Sequence, residues 1–168
     1  ASRIRLAEPE DRYDISALVP VAPVDIEKTY GYIMKTVSSI TDADYRAVCL
    51  KMLERHGEAF RSIPAAKSVH HSFISGLLMH TANMLRTADF LSGVYGEIID
   101  RSLLLSGTLL HDFAKDKEFC LSELGIVTDY SVKGQLLGHL VMCAQEVAEL
   151  GAELGIPEEK SVLLQHTI

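Results

Sequence analysis

The chain has few of the features that would assign it to a membrane, a secreted scaffold or an electrostatic nucleic-acid binder. Its three cysteines, Cys49, Cys120 and Cys143, lie far apart with no CxxC spacing, which excludes a disulfide framework and fits a reducing cytoplasm. No apolar run approaches the ~20 residues needed to cross a bilayer. The N-terminus lacks the basic, apolar and small-residue succession of a signal peptide. Basic residues are outnumbered, 16 against 23 acids, and the net charge of −7 gives the chain little broad hold on a polyanion. A phosphate substrate is still compatible with that charge, because bound dications reverse the local field.

What remains is the composition of one globular domain. At 168 residues, with 48% apolar and 23% charged, the chain can bury a substantial core. Strand-like alternation is nearly absent, and no repeat or low-complexity tract appears, so the expected class is all-α, a bundle of about six helices. Residues 1–24, with Pro9, Pro20 and Pro23, read as an irregular lead-in. Residues 25–64 read as a helical pair. Its first member carries Tyr30, Ile33, Met34, Val37 and Ile40, and its second, opened by Thr41 with Asp44 as a capping-box variant, carries Tyr45, Val48, Cys49, Met52 and Leu53. Residues 65–168 form the main core. A third helix runs from about Ser75 to Ser92, with Leu77, Thr81, Met84, Leu85, Ala88 and Leu91 inward. A fourth is capped by Asp100. Residues 116–132 read as a loop with a short extended stretch at Ile126-Val127-Thr128. A fifth helix from about Gly134 turns Leu136, Leu140, Cys143, Val147, Leu150 and Leu154 inward and stops at Gly155. Pro157, Glu158 and Glu159 open a sixth, whose apolar face still runs at Ile168, so the domain is expected to be incomplete at its C-terminus.

The most informative residues are in Leu109-Leu110-His111-Asp112-Phe113-Ala114-Lys115, together with Gly76-Leu77-Leu78-Met79-His80-Thr81 on the preceding helix. His80, His111, Asp112 and His139 each fall on or beside the buried stripe of a helix. A single core histidine is unremarkable, but three histidines and an acid on successive helices are not. A buried Asp112 at the end of a leucine-rich helix needs a cation or strong donors. Imidazole nitrogens and carboxylate oxygens together suit a divalent transition ion such as Mn, Fe, Co, Ni or Zn. A carboxylate can bridge two such ions, an arrangement suited to phosphoester hydrolysis.

His80 followed by His111-Asp112 resembles the HD-domain superfamily of metal-dependent phosphohydrolases. Pro64-Ala65-Ala66-Lys67, His70-His71, Gly76 to Thr81, Leu110-His111-Asp112, Leu136-Leu137-Gly138-His139 and Leu163-Leu164-Gln165-His166 are similar, in order, to the YhaM-type 3′-to-5′ exoribonucleases. The resemblance implies that His80, His111, Asp112 and His139 are metal ligands, with Asp112 the bridge, and that one or two ions bind, Mn foremost. It implies an N-terminal OB-like domain, absent here, and further ligands beyond Ile168. The chain alone is therefore expected to be a weak nuclease. His166 is a further candidate ligand, with helix packing as its alternative.

Asp112 and Lys115 are the candidate catalytic residues. Lys115, three positions after Asp112, can lean over a bound phosphate and offset charge in the transition state. His70, His71 and Lys115 are candidate phosphate contacts, and one of the two histidines could give a proton to the leaving oxygen. His56 reads as structural, Arg86, Arg101 and Lys133 as solvated, and the cysteines as core residues. The resemblance makes the substrate the 3′ end of single-stranded RNA or DNA, released as nucleoside monophosphates, and leaves self-association open. Competing readings are a nucleotide or cyclic-nucleotide phosphohydrolase, a non-catalytic regulatory module, and a di-iron oxygenase.

Overall fold

The computed structural model describes residues 5, 8, 10–12, 14, 18–68 and 71–168. The order of elements is α1 (Ile26–Ser38), α2 (Ala43–Ser62), α3 (Gly76–Val94), α4 (Arg101–Leu110), α5 (Lys115–Glu118), β1 (Phe119–Leu121), β2 (Val127–Tyr130), α6 (Val132–Leu136), α7 (Gly138–Glu153) and α8 (Glu158–His166). The fold is mostly helical, as the periodicity predicts. Among the described residues no helix is long and apolar enough to cross a membrane.

α1, α2 and α4 start where a side chain satisfies their first free N–H groups, whereas α3 begins at Ser75 without a side-chain cap bond. Asp25 accepts from the Lys28 N–H, and Asp100 from the Leu103 N–H. α2 departs from expectation. Its cap is Asp42, which accepts from the N–H groups of Asp44 and Tyr45, whereas the Thr41 hydroxyl pairs with Ser102 at the start of α4.

One apolar core joins α1, α2, α3, α4, α7 and α8 through Ile33, Val48, Met52, Leu78, Leu85, Leu105, Leu109, Cys143, Leu150 and Leu164. Phe60 stacks on Phe113 with ring centroids 4.6 Å apart, tying the end of α2 to the turn after α4. The Cys49 and Cys143 thiols belong to this core, and burial pushes both up to about 12, so neither is a nucleophile. Ala22 donates to the Ile74 carbonyl and Ile74 to that of Pro20, so residues 20–22 brace the loop before α3.

The largest departure is the segment expected to be a loop. It folds into α5, an antiparallel hairpin pairing Phe119 with Tyr130 and Cys120 with Asp129, and α6. The expected fifth helix is two helices. The chain breaks at Leu137, so Leu136 on α6 does not share the phase of α7 and is 78% exposed. Leu140, Leu154, Met84 and Leu91 are also exposed. Cys143, Val147 and Leu150 on α7 and Leu77, Thr81, Leu85 and Ala88 on α3 are buried as expected, joined by Met142 and Glu146 on α7 and Leu78 on α3. Met84 lines the cleft between α3 and α4 beside Leu104 and Thr108.

His56 is structural, as expected, and its partners are specific. Nδ1 stands 2.6 Å from Asp116 Oδ2 and Nε2 2.9 Å from Glu146 Oε1, in a buried link among α2, α5 and α7. Lys117 also pairs with Glu146, and Arg55 approaches it at 3.6 Å. Burial alone would lower the His56 value, but the Asp116 and Glu146 carboxylates raise it above the ordinary 6.5. Burial would raise Glu146, but Lys117 and His56 hold it below the ordinary 4.5. The contribution of His56 is therefore full below pH 6.5 and fades as pH rises through its raised folded value. That of Glu146 is present above pH 4.5 and fades as pH falls through its lowered value. The network should be strongest between these limits. Replacing His56 by Gln should cost about 3 kcal/mol near pH 5.5, because buried carboxylates lose their cation. Urea titrations of both proteins should show the gap narrowing above neutrality, and a gap constant to pH 9 would refute this account.

Candidate metal centre

Three helices and one turn bring the predicted residues together. Leu110 ends α4, and His111 caps it while donating its backbone N–H to Gly107. Its ring Nδ1 lies 2.8 Å from the Thr108 carbonyl, which can only accept. Nδ1 therefore carries the proton, and Nε2 faces the site. His80, one turn into α3, presents Nε2 at 3.3 Å from His111 Nε2 and 3.5 Å from Asp112 Oδ2. His111 Nε2 is 3.3 Å from the same oxygen. His139, in the first turn of α7, presents Nε2 at 3.2 Å from the other oxygen, Asp112 Oδ1.

Exposure orders the site. The Asp112 side chain is 6% exposed, against 28% for His80 and 24% each for His111 and His139. The carboxylate is the floor of a shallow bowl and the imidazoles are its wall. Burial pushes the Asp112 carboxyl up, but hydrogen bonds from His111, His139 and Lys115 outweigh it and hold the group far below the ordinary carboxylate range. Asp112 is therefore ionised. Burial lowers His80, reinforced by the neighbouring His111, Lys115 and His71 and opposed by Asp112, so its imidazole is readily neutral. His139 is raised, first by Asp112 and then, against burial, by Glu118.

This donor set fits a divalent ion. Ligand atoms 2.0–2.2 Å from one ion stand roughly 3.0–3.5 Å apart, which matches the mutual spacings of His80, His111 and Asp112. Among the described residues these three form the cluster that could hold a metal ion. His139 stands apart from that trio and meets Asp112 through the opposite oxygen, so the carboxylate faces two donor groups at once.

The other predicted residues are placed differently. Lys115 does not reach into open space. Its Nζ donates to Asp112 Oδ2 at 2.8 Å and to the Ala65 carbonyl at 2.7 Å, linking the floor of the bowl to the loop before α3. The His71 ring meets that of His80 edge-on, with centroids 5.5 Å apart, and so stands at the bowl's rim. His70 lies outside the described residues. His166 is exposed at the end of α8 and takes no part in the trio. Beside His111, a cavity of about 210 Å³ opens between α3 and α4, lined by Met84, Leu104, Gly107, Thr108 and Thr167.

Sequence reasoning missed Glu118. Its carboxylate is buried, and Oε1 lies 2.9 Å from His139 Nδ1 and 3.0 Å from the His139 backbone N. Nothing in a single sequence separates it from Asp116 or Glu123, since its role depends on a hairpin and a helix break that periodicity does not reveal.

With the geometry in view, the likeness to known proteins can be stated. The chain is 32% identical over 166 residues to the 3′-5′ exoribonuclease YhaM of Listeria welshimeri, covering 99% of this chain and 52% of that protein. It is 33% identical over 165 residues to the proteins of that name from Bacillus pumilus, of which it covers 51%, and Halalkalibacterium halodurans, of which it covers 50%. The resemblance read from the short motifs thus extends along nearly the whole chain. The chain spans about half the length of the curated relatives it matches. No family model and no solved structure matches it.

Gly76 makes the rim possible. A Cβ there would stand 2.0 Å from the His71 carbonyl oxygen and 3.2 Å from the Ala65 N, a backbone clash that no rotamer relieves. Gly76→Ala should push the 65–75 loop away from α3 and cost about 2 kcal/mol or more in denaturant unfolding, in line with other enforced overpacking. A loss below about 0.5 kcal/mol, the usual range of neutral substitutions, would show that the loop yields freely.

Proposed function

We propose that this chain is the metal-dependent phosphohydrolase domain of a 3′-to-5′ exoribonuclease. The observation that carries the reading is the Asp112 carboxylate, ionised and buried, with His80 and His111 on one oxygen and His139 on the other. Similarity along nearly the whole of this chain to about half the length of proteins named 3′-5′ exoribonuclease supports RNA as the substrate. His80, His111 and Asp112 would hold one divalent ion, and His139 with the second oxygen of Asp112 a further one. Manganese is the ion we favour, because mixed imidazole and carboxylate donors suit it. When bound, such ions acidify a water and neutralise the phosphate oxygens.

The remaining chemistry belongs to the chain's own side chains. Lys115, fixed against Asp112, would supply a cation beside a bound phosphate and offset charge developing on its oxygens. In-line attack of water at phosphorus breaks the bond to the ribose 3′ oxygen of the preceding nucleotide. That departing oxygen must take up a proton, and His71, whose ring meets that of His80 at the rim, would be its donor. The product is a nucleoside 5′-monophosphate and an RNA shorter by one residue. The three cysteines are free thiols, in keeping with a cytoplasmic enzyme.

The test is digestion of 5′-labelled RNA by the full natural protein with Mn²⁺. A ladder shortening from the 3′ end is expected, and immediate release of labelled mononucleotide would refute the polarity. Asp112→Ala should reduce hydrolysis by at least 10³-fold, because it removes the shared ligand of both donor groups. Its circular dichroism should stay near wild type, since the leucines of α4 still pack. Substantial hydrolysis by this variant at saturating Mn²⁺ would overturn the role given to Asp112.

A further inference from the structure

The geometry points to Glu118 as the positioning residue of the metal centre: it fixes the orientation and tautomer of His139, so that Nδ1 holds the proton and Nε2 is presented to Asp112. This inference rests on the metal reading above and adds the residue on which the second donor group depends.

Four observations support it. Glu118 is 6% exposed, so its carboxylate has little water to turn to. A single oxygen, Oε1, accepts from both the backbone N–H and the ring Nδ1–H of His139. One acceptor thus sets the start of α7 and the rotation of the imidazole together. An oxygen that already accepts from the backbone N–H is an acceptor for the ring as well, so the proton belongs on Nδ1. Nε2, on the opposite edge, stands 3.2 Å from Asp112 Oδ1. Finally, Glu118 is itself held on its backbone side. The Ser131 N–H donates to its carbonyl at 2.8 Å, while Gly134 on α6 approaches so closely that a Cβ would lie 2.4 Å from that carbonyl oxygen and 3.0 Å from Cγ.

The hairpin and α6 thereby acquire a purpose. They return the chain against Glu118 and lock it, and Glu118 then aims His139 at the floor of the bowl. Carboxylate partners of ligating imidazoles orient the ring and raise its basicity, and their loss commonly weakens metal binding 10- to 100-fold.

The experiment compares wild type, Glu118→Ala and Glu118→Gln in the full natural protein. It measures Mn²⁺ binding by calorimetry and the His139 ring nitrogens by long-range ¹H–¹⁵N NMR with Zn²⁺ bound. Wild-type His139 should show a protonated Nδ1 and a ligating Nε2. Glu118→Ala should bind Mn²⁺ 10- to 100-fold more weakly at the second step and lose the tautomer preference. Glu118→Gln, which keeps an acceptor oxygen but no charge, should retain the Nδ1–H signature and recover most of the affinity. If Glu118→Ala does not fold, the wild-type tautomer and the Glu118→Gln titration decide. Nδ1 ligating or unprotonated in wild type overturns the proposal. So does wild-type Mn²⁺ affinity in a folded Glu118→Ala protein, or a Glu118→Gln protein without the Nδ1–H signature. Absence of any Mn²⁺ or Zn²⁺ binding by wild type would instead refute the metal reading itself.

Discussion

A buried, ionised Asp112 is the constraint around which this fold is arranged. It follows the last turn of α4, where the negative end of the helix dipole makes a carboxylate unwelcome. The leucines beneath it offer no solvation. An acid in that position is tolerable only if positive or hydrogen-bond-donating groups arrive from several directions. Lys115 comes from the next turn, His111 from the helix cap itself, His80 from α3 and His139 from α7. Packing of α3 and α7 on α4 is therefore also the assembly of the site. The stacked Phe60 and Phe113 and the His56 link anchor the turn on its far side.

The helices and their order were legible because their signals are local. Asp25 and Asp100 precede apolar periodicity and do cap, and the leucines and valines of α1, α2 and α4 fall at helical spacing. His80, His111, Asp112 and His139 were legible because polar residues in buried phase are conspicuous. Of the hairpin, only the extended stretch at Ile126-Val127-Thr128, which overlaps β2, was legible, since strands of three and four residues carry too little alternation to stand out. The break at Leu137 was hidden because Val132, Leu136 and Leu140 continue the apolar spacing of α7 backwards, although all three face outward. The chain turns there at Gly138, whose φ of 72° lies in the left-handed region that glycine adopts freely, and the turn lets His139 meet both Glu118 and Asp112. Glu118 was illegible for the same reason, because its importance lies in a contact created by that turn.

Lys115 shows how position changes meaning. From sequence it is a lysine at a helix end, equally at home in solvent or over a phosphate. In the fold it is mostly buried and doubly engaged, by Asp112 and by the Ala65 carbonyl. It therefore joins the floor of the site to the loop that carries His71 at the rim. A group that acts on phosphate from this place needs little reorganisation, because its ordering was completed when the protein folded.

The charge balance follows from the same arrangement. A chain with a net charge of −7 cannot attract a polyanion over its whole surface. It can do so only where positive groups are concentrated and water is scarce, since interactions there are least screened. Lys115, the imidazoles and any ions they hold meet at one shallow bowl, while Asp42 and Asp44 at the start of α2 are paired elsewhere, with Lys160 of α8. The groups that make the buried Asp112 tolerable are thus also the ones that concentrate positive charge at the bowl.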